Sequence, residues 1–281
     1  VPALRRFVQG TITWHSDLEL IADGILIAFS ERTGGRSLPP YATLNMSDRV
    51  GDDPATVKEN RHILMSALGL DSATQEHLHW CIQTHGTRVA RVDEPVFGGV
   101  LPDTDALITA TSGIPLLVCV ADCVPIILAT RTPRRALAVV HSGWKGTLAR
   151  ISAEAVTALR DAYGVKPADV RAYIGPYIGP ESFEIAPEVA ARFAAEFPAL
   201  EQTPSGNTDE AGAPTLRLDL GAAVAQTLQD SGVPADQIAA LGEDTAQDRA
   251  HYYSYRAQNG ATGRQAALAC LLPQEGERVH A

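Results

Sequence analysis

The chain has 281 residues, 45% of them hydrophobic, and a mean hydropathy near zero; that is enough apolar mass for one large core, and the length permits one domain or two. Its 23 basic and 33 acidic residues give a formal charge of −10 and a pI near 5.2, which repels polyphosphate backbones and argues against a nucleic acid partner. The longest apolar stretch, 114–129, is broken by Asp122 and Pro125 and falls short of the roughly 20 residues a membrane span needs, so no membrane association is expected.

In chain order, a β-type run is expected at 24–29, a helix at 53–68, then strands at 78–84, 105–109, 114–120, 126–130 and 137–141. A helix follows at 147–162, a strand at 171–174 and a helix at 187–197. The segment 203–214, rich in Gly, Asn, Thr and Pro, reads as a surface loop. A helix at 220–230 has Asp219 as its N-cap, and strands at 237–241 and 265–272 complete the set. Many strands mixed with well-spaced helices, without strict alternation and without a composition break, predict an α/β fold: a single compact domain over residues 1–281, with a mixed β-sheet sandwich covered by helices.

Four scattered cysteines, Cys81, Cys119, Cys123 and Cys270, do not form the disulfide framework of a secreted domain. No signal-like apolar stretch follows Arg5 and Arg6, so a cytoplasmic location is expected. The open question for the cysteines is thiol chemistry or metal binding.

Three segments share one form, a hydrophobic strand running into a metal-capable side chain at a turn. They are Cys81-Ile-Gln-Thr-His-Gly86, Val118-Cys-Val-Ala-Asp-Cys-Val-Pro125 and Ala138-Val-Val-His-Ser-Gly-Trp-Lys-Gly-Thr147. Strand ends hold side chains rigidly at a sheet rim, so His85, Cys123 and His141 can converge. Two imidazoles and a thiolate suit zinc and leave one tetrahedral position open, the pattern of a catalytic site rather than a closed structural one. His77 and His79, two apart on a strand, are the rival ligands, and spacing alone does not exclude them. Each residue also has a plainer reading, as a hydrogen-bonded rim histidine or a small buried hydrophobe.

Around this core, Gly143 and Gly146 bracket a turn from which a helix is expected to start near Thr147. Its backbone N–H groups, with Ser142 and Lys145, are candidate phosphate ligands. The competing reading makes the glycines relieve strain in a simple strand-to-helix turn. Arg49, Arg61 and Arg264 are further cationic candidates, Asn45 a polar one, and Asp122 either orients a ligand, moves a proton or caps a turn.

At this point the chain resembles the laccase-domain, polyphenol-oxidase-like family, the YfiH-like proteins, associated with purine nucleoside phosphorolysis. The resemblance runs through Arg32-Thr-Gly-Gly-Arg-Ser37, Ala42-Thr-Leu-Asn45, Val50-Gly-Asp-Asp-Pro54 and Glu59-Asn-Arg61. It continues in Gln83-Thr-His-Gly86, Asp105-Ala-Leu-Ile-Thr109, Ala121-Asp-Cys-Val-Pro125, His141-Ser-Gly-Trp-Lys-Gly-Thr147, Ile174-Gly-Pro176, Tyr253-Ser-Tyr-Arg256 and Thr262-Gly-Arg264. It implies metal ligands at His85, Cys123 and His141, and a sandwich similar to that of certain cysteine-dependent toxin deamidases. Thr84 stands where the family usually has valine; Tyr177, Glu181 and the stretch Glu243-Asp-Thr245 lack cysteines that are often present. The missing soft donors favour zinc over a multi-copper centre.

The resemblance further implies phosphate attack on the anomeric carbon of adenosine, inosine or 5′-methylthioadenosine, releasing base and ribose 1-phosphate. A metal-bound water attacking C6 of adenine makes deamination of adenosine in the same pocket a companion expectation. Two other readings use the same side chains. One is a cysteine hydrolase of amidase type, acting on a peptidoglycan precursor, with Cys123 as nucleophile, His141 as base and the 142–147 amides as an oxyanion hole. The other is an oxidase or a non-enzymatic metal-binding module.

Overall fold

A computed structural model describes residues 1–94 and 99–274. Its strands are β1 (Arg5–Gln9), β2 (Ile12–Ser16), β3 (Ile25–Ser30), β4 (His79–Cys81), β5 (Val89–Arg91), β6 (Gly99–Leu101), β7 (Ala106–Thr109) and β8 (Leu116–Val120). They continue as β9 (Val124–Thr130), β10 (Ala136–Ser142), β11 (Arg171–Ile174), β12 (Glu184–Ile185), β13 (Gln202–Thr208), β14 (Pro214–Leu218), β15 (Ile238–Ala240) and β16 (Gln265–Leu271). The helices are α1 (Leu18–Ala22), α2 (Pro54–Ala67), α3 (Ser72–Glu76), α4 (Trp144–Leu148), α5 (Ile151–Tyr163), α6 (Pro187–Glu196) and α7 (Leu220–Asp230).

Two mixed sheets carry the fold. One has the order β1-β2-β3-β16-β8-β4-β6, the other β15-β11-β9-β10-β7-β5, and a small third sheet is ordered β12-β14-β13. Most neighbours are antiparallel, while β4 runs parallel to β6 and β8, β5 to β7, and β11 to β15. Because side chains alternate across a strand, the apolar runs expected from sequence serve two cores at once. Ile25, Ile27 and Phe29 of β3 meet Ile127 and Ala129 of β9 and Leu137 and Val139 of β10 between the sheets. The opposite face of the first sheet, with Leu26, Ala28 and Leu268, packs under Leu64 and Met65 of α2. On the far face of the second, Ile126, Leu128, Ala138 and Val140 lie under α5, α6 and α7. The result is a helix-covered double sheet, as the element pattern predicts.

Local signals explain the helix starts. Asp53 caps α2, its carboxylate accepting from the amides of Ala55 and Thr56, with Pro54 in the first turn. Asp219 accepts from Ala222 N at 2.9 Å, the N-cap expected for α7. No helix among the described residues is long and apolar enough to cross a membrane.

Two expectations need correction. The loop expected at 203–214 is mostly the β13–β14 hairpin, whose first strand is polar and largely exposed, so no apolar alternation advertises it. The helix expected at 147–162 is two helices: α4 begins already at Trp144, and Arg150 interrupts the run at φ 57°. Arg150 is held there by Glu196 and by Asp230 at 2.8 Å, partners more than forty residues away that the local pattern cannot show.

Candidate metal centre and cavity

Among the segments that cross from the first sheet to the second are one after β4 and one between β8 and β9. His85 lies on the first crossing and Cys123 on the second, while His141 sits near the end of β10, opposite Pro125 of β9. Two crossovers and one strand end therefore meet at a single edge of the sandwich. The ligand atoms of His85, Cys123 and His141 all lie within 4.8 Å of one another, the one such group of three among the described residues. Cys123 Sγ is 3.8 Å from His85 Nε2, and the two imidazole rings stand edge-to-face with centroids 4.8 Å apart. Donor atoms around tetrahedral zinc are separated by about 3.3–3.8 Å, so the set fits one ion with little adjustment.

Glycine placement shows the same crowding. A Cβ on Gly143 would come within 2.5 Å of His85 Cδ2 and 3.1 Å of Cys123 Sγ, and one on Gly146 within 3.2 Å of the Gly86 carbonyl. Gly143 itself has φ −74°, which any residue adopts. Close approach of the His85 ring and the Cys123 thiol, rather than backbone strain, is what requires a glycine at 143, and the Gly86 carbonyl crowds position 146.

Asp105 holds the centre together and was not among the expected site residues. Its buried carboxylate accepts from His141 Nδ1 at 2.7 Å and from the amides of Thr84 (3.1 Å), His85 (2.9 Å) and Gly86 (2.8 Å). Burial pushes this carboxyl upward, but the His141 partner and the Gly86 and Thr84 amides outweigh it and keep it low. An ionised Asp105 makes Nδ1 of His141 the donor, leaving Nε2 for a metal. The same carboxylate ties down the turn in which His85 takes φ 61°. The signal was present in the sequence: an aspartate opening an apolar strand has to find donors when it is buried.

Cys123 differs from the other thiols. Burial raises Cys119 to about 11 and Cys270 to about 12, and moves Cys81 upward as well. Burial acts on Cys123 too, yet the neighbouring His141 and His85 imidazoles bring it down to about 6. His141 is reciprocally raised to about 9, burial being overcome by Cys123 and Asp105. The metal-free centre thus holds a thiolate beside an imidazolium, sharing one proton that a cation must displace.

The triad forms part of a cavity of about 620 Å³, within the range of small-ligand sites. His85 is exposed and Cys123 half-buried, so the centre is reachable. Four arginines, Arg49, Arg61, Arg256 and Arg264, line the cavity against two aspartates, Asp48 and Asp122, a cationic lining in a chain of net charge −10. Arg61 and Arg264 are fixed from one segment. Arg61 Nε donates to the Met46 carbonyl at 2.9 Å, Met46 N donates to the Arg264 carbonyl at 3.0 Å, and Arg264 N donates to Asn45 Oδ1 at 2.9 Å. The Arg264 guanidinium is bonded to the carbonyls of Thr262 and Gly263, and burial lowers its pKa, a sign that an anion would be welcome.

Of the residues expected from sequence, His85, Cys123, His141, Asp122, Arg49, Arg61 and Arg264 line this cavity. Asn45 is wholly buried and supports it by bonding Ser47, Asp52 and Arg264. Ser142 is buried against Thr147, and Lys145 is exposed with its ammonium 5.5 Å from the Trp144 ring centroid; neither lines the cavity. Asp122 touches neither histidine: its carboxylate accepts from Thr245 Oγ1 (2.7 Å) and Arg256 N (2.6 Å). The rival His79 is buried, with Nδ1 on the His77 carbonyl. Arg256 and Tyr255, quoted in the sequence motifs without a role, also face the cavity.

The family model described as "Multi-copper polyphenol oxidoreductase laccase" matches residues 26–272, and the chain belongs to that family. It is 36% identical over 257 residues to a purine nucleoside phosphorylase of Deinococcus radiodurans, covering 89% of this chain and 90% of that protein. A purine nucleoside phosphorylase of Streptomyces coelicolor is 35% identical, with 89% of this chain and 96% of that one covered. Among solved structures, YlmD from Geobacillus stearothermophilus superposes with a TM-score of 0.85 at 28% identity, over 97% of this chain and all of that one.

Proposed function

We propose that this chain is a metal-dependent purine nucleoside phosphorylase that splits adenosine, inosine and 5′-methylthioadenosine with inorganic phosphate. The observation that carries the reading is the pairing, in one cavity, of the His85, Cys123 and His141 donor set with the Arg61 and Arg264 guanidiniums. The names of the relatives support it.

In this account His85, Cys123 and His141 hold one zinc ion, with copper the weaker fit to a single mononuclear set. When bound, the ion supplies Lewis acidity and a fixed positive charge. Arg264 and Arg61 bind phosphate and aim it at the anomeric carbon, and their charge offsets that of the attacking oxygens as the sugar becomes oxocarbenium-like. Exposed Arg49 and Arg256 draw the anion toward the mouth. Asp105 keeps the His141 ring oriented, and Asn45 fixes the backbone of Arg264. Deamination of adenosine in the same pocket is part of the proposal.

A chromatographic assay of adenosine turnover with and without phosphate tests the reading. Phosphate-dependent adenine and ribose 1-phosphate are expected; inosine appearing regardless of phosphate reports the deaminase. Products that ignore phosphate altogether overturn the phosphorylase.

One observation favours a second reading. Cys123, His141 and Asp105 form a thiolate, an imidazole and an orienting carboxylate in sequence, the arrangement of a cysteine hydrolase. Turnover by metal-free protein, abolished by alkylation of Cys123, would favour it; loss of turnover on chelation and rescue by zinc favour the phosphorylase.

A further inference from the structure

Three aromatic side chains line the cavity, and each has an arginine beside it. Arg61 covers Trp80 at 4.4 Å from the ring centroid, Arg256 lies 5.7 Å from Phe183, and Arg264 lies 5.6 Å from Tyr255. Trp80 is half-buried with Arg61 on its face, and Phe183 is only 8% exposed. Tyr255 is different: it is 56% exposed, the one exposed large aromatic among the described residues. Arg264 lies beside its ring, and more than half of the side chain stays exposed where it lines the cavity.

This ring is also held in place. The Gly260 amide donates to the Tyr255 carbonyl at 2.9 Å, closing a turn in which Gly260 has φ 85°. A Cβ at Gly260 would touch the Tyr255 ring at 3.4 Å, so the turn backs the side chain. The next residue, Arg256, donates its amide to Asp122 Oδ2 at 2.6 Å, and Asp122 directly precedes the thiol of Cys123. Asp122 itself has φ 89°, and its other carboxylate oxygen accepts from the buried Thr245 hydroxyl. One hydrogen bond and two residues therefore fix the open aromatic relative to the metal-binding thiol.

We infer that Tyr255 is the platform on which the purine base stacks, and that the Asp122–Arg256 bond sets its distance from the metal centre. This rests on the nucleoside reading above and adds the residue that recognises the base. An exposed aromatic held on a rigid turn offers a flat apolar face with little ordering cost. A bicyclic purine covers more of that face than a pyrimidine does. Arg264, 5.6 Å from the ring centroid, strengthens the stack by cation–π contact. Base and anion are thus bound on one continuous surface, and Asp122 is a positioning residue.

The test is calorimetric binding to the zinc-loaded full chain, without phosphate, of adenosine, adenine and ribose 1-phosphate. Stacking on an aromatic contributes enough that Tyr255→Leu is expected to weaken adenosine and adenine by about tenfold or more. Ribose 1-phosphate affinity and zinc stoichiometry stay unchanged, and Tyr255→Phe restores base binding to within about twofold, since the ring and not the hydroxyl carries the contact. Equal losses in the Leu and Phe variants, or a loss that extends to ribose 1-phosphate, overturn the inference. If wild-type protein binds no adenosine, the nucleoside reading falls with it. If wild type binds and Tyr255→Leu binds as well, this inference alone is wrong.

Discussion

The two ends of the cavity are built by opposite means. At the metal end, three donors from distant parts of the chain meet, two of them tied to a single buried carboxylate, and Gly143 makes room for the third beside them. The other wall is a set of arginines, two held against the Met46 segment and two exposed at the rim, with no comparable organising centre. A donor set for an ion must be placed to within tenths of an ångström, so its supports are buried and stiff. An anion site and a base platform tolerate more latitude, and charge with exposed ring area suffices there.

Breaking the metal end should have the largest effect. Cys123→Ser is expected to abolish stoichiometric zinc binding and reduce phosphorolysis to background, measured by elemental analysis alongside turnover. Asp105→Asn comes next: it keeps the shape but gives up the carboxylate that fixes the tautomer of His141, and a loss of about 10- to 100-fold in zinc affinity follows from such a change. An unchanged affinity would mean that Asp105 serves the fold alone.

The cationic wall should respond in a different parameter. Arg264→Gln removes a charged donor worth roughly 1.5–3 kcal/mol, so KM for phosphate should rise about tenfold or more while zinc content holds. Lys145→Ala, outside the cavity lining, should leave KM for phosphate where it was. A rise with Lys145→Ala equal to that with Arg264→Gln would return the anion to the 142–147 turn.

Acidity sharpens the contrast further. With His141 raised to about 9 and Cys123 lowered to about 6, the metal-free centre keeps one proton between those values, and zinc must expel it. Apparent zinc affinity is therefore expected to rise about tenfold per pH unit from about 6 to 9, more steeply below 6 and not at all above 9. Phosphate binding to zinc-loaded protein is expected to follow the ionisation of phosphate instead. Competition titrations against a chelator of known affinity measure the slope.

The same contrast governs what could be read from the sequence. His85, Cys123 and His141 were legible as a group because each follows an apolar run and meets a turn, a local pattern with a chemical meaning, although the structure puts the first two on crossovers and only His141 at a strand end. Asp105 was passed over, though it opens the strand Ala106–Thr109, because its worth lies in four donors from two other segments. Gly143 and Gly146 marked a special turn in the sequence, but the crowding of Gly143 by His85 and Cys123 depends on where distant segments arrive. The helix-covered sandwich followed from strand and helix spacing. The hairpin β13–β14 did not, since polar strands pair through their backbones and leave no apolar rhythm. The break at Arg150 depends on carboxylates from α6 and α7, which no local window contains.

The central claim is tested most directly by X-ray absorption at the zinc edge on the stoichiometrically loaded, active protein. The account predicts one sulfur at about 2.3 Å and two imidazole nitrogens at about 2.0–2.1 Å, with a fourth position that changes when phosphate or adenosine is added. A spectrum without sulfur, a shell closed by four protein donors, or full phosphorolysis by rigorously metal-free protein would contradict it.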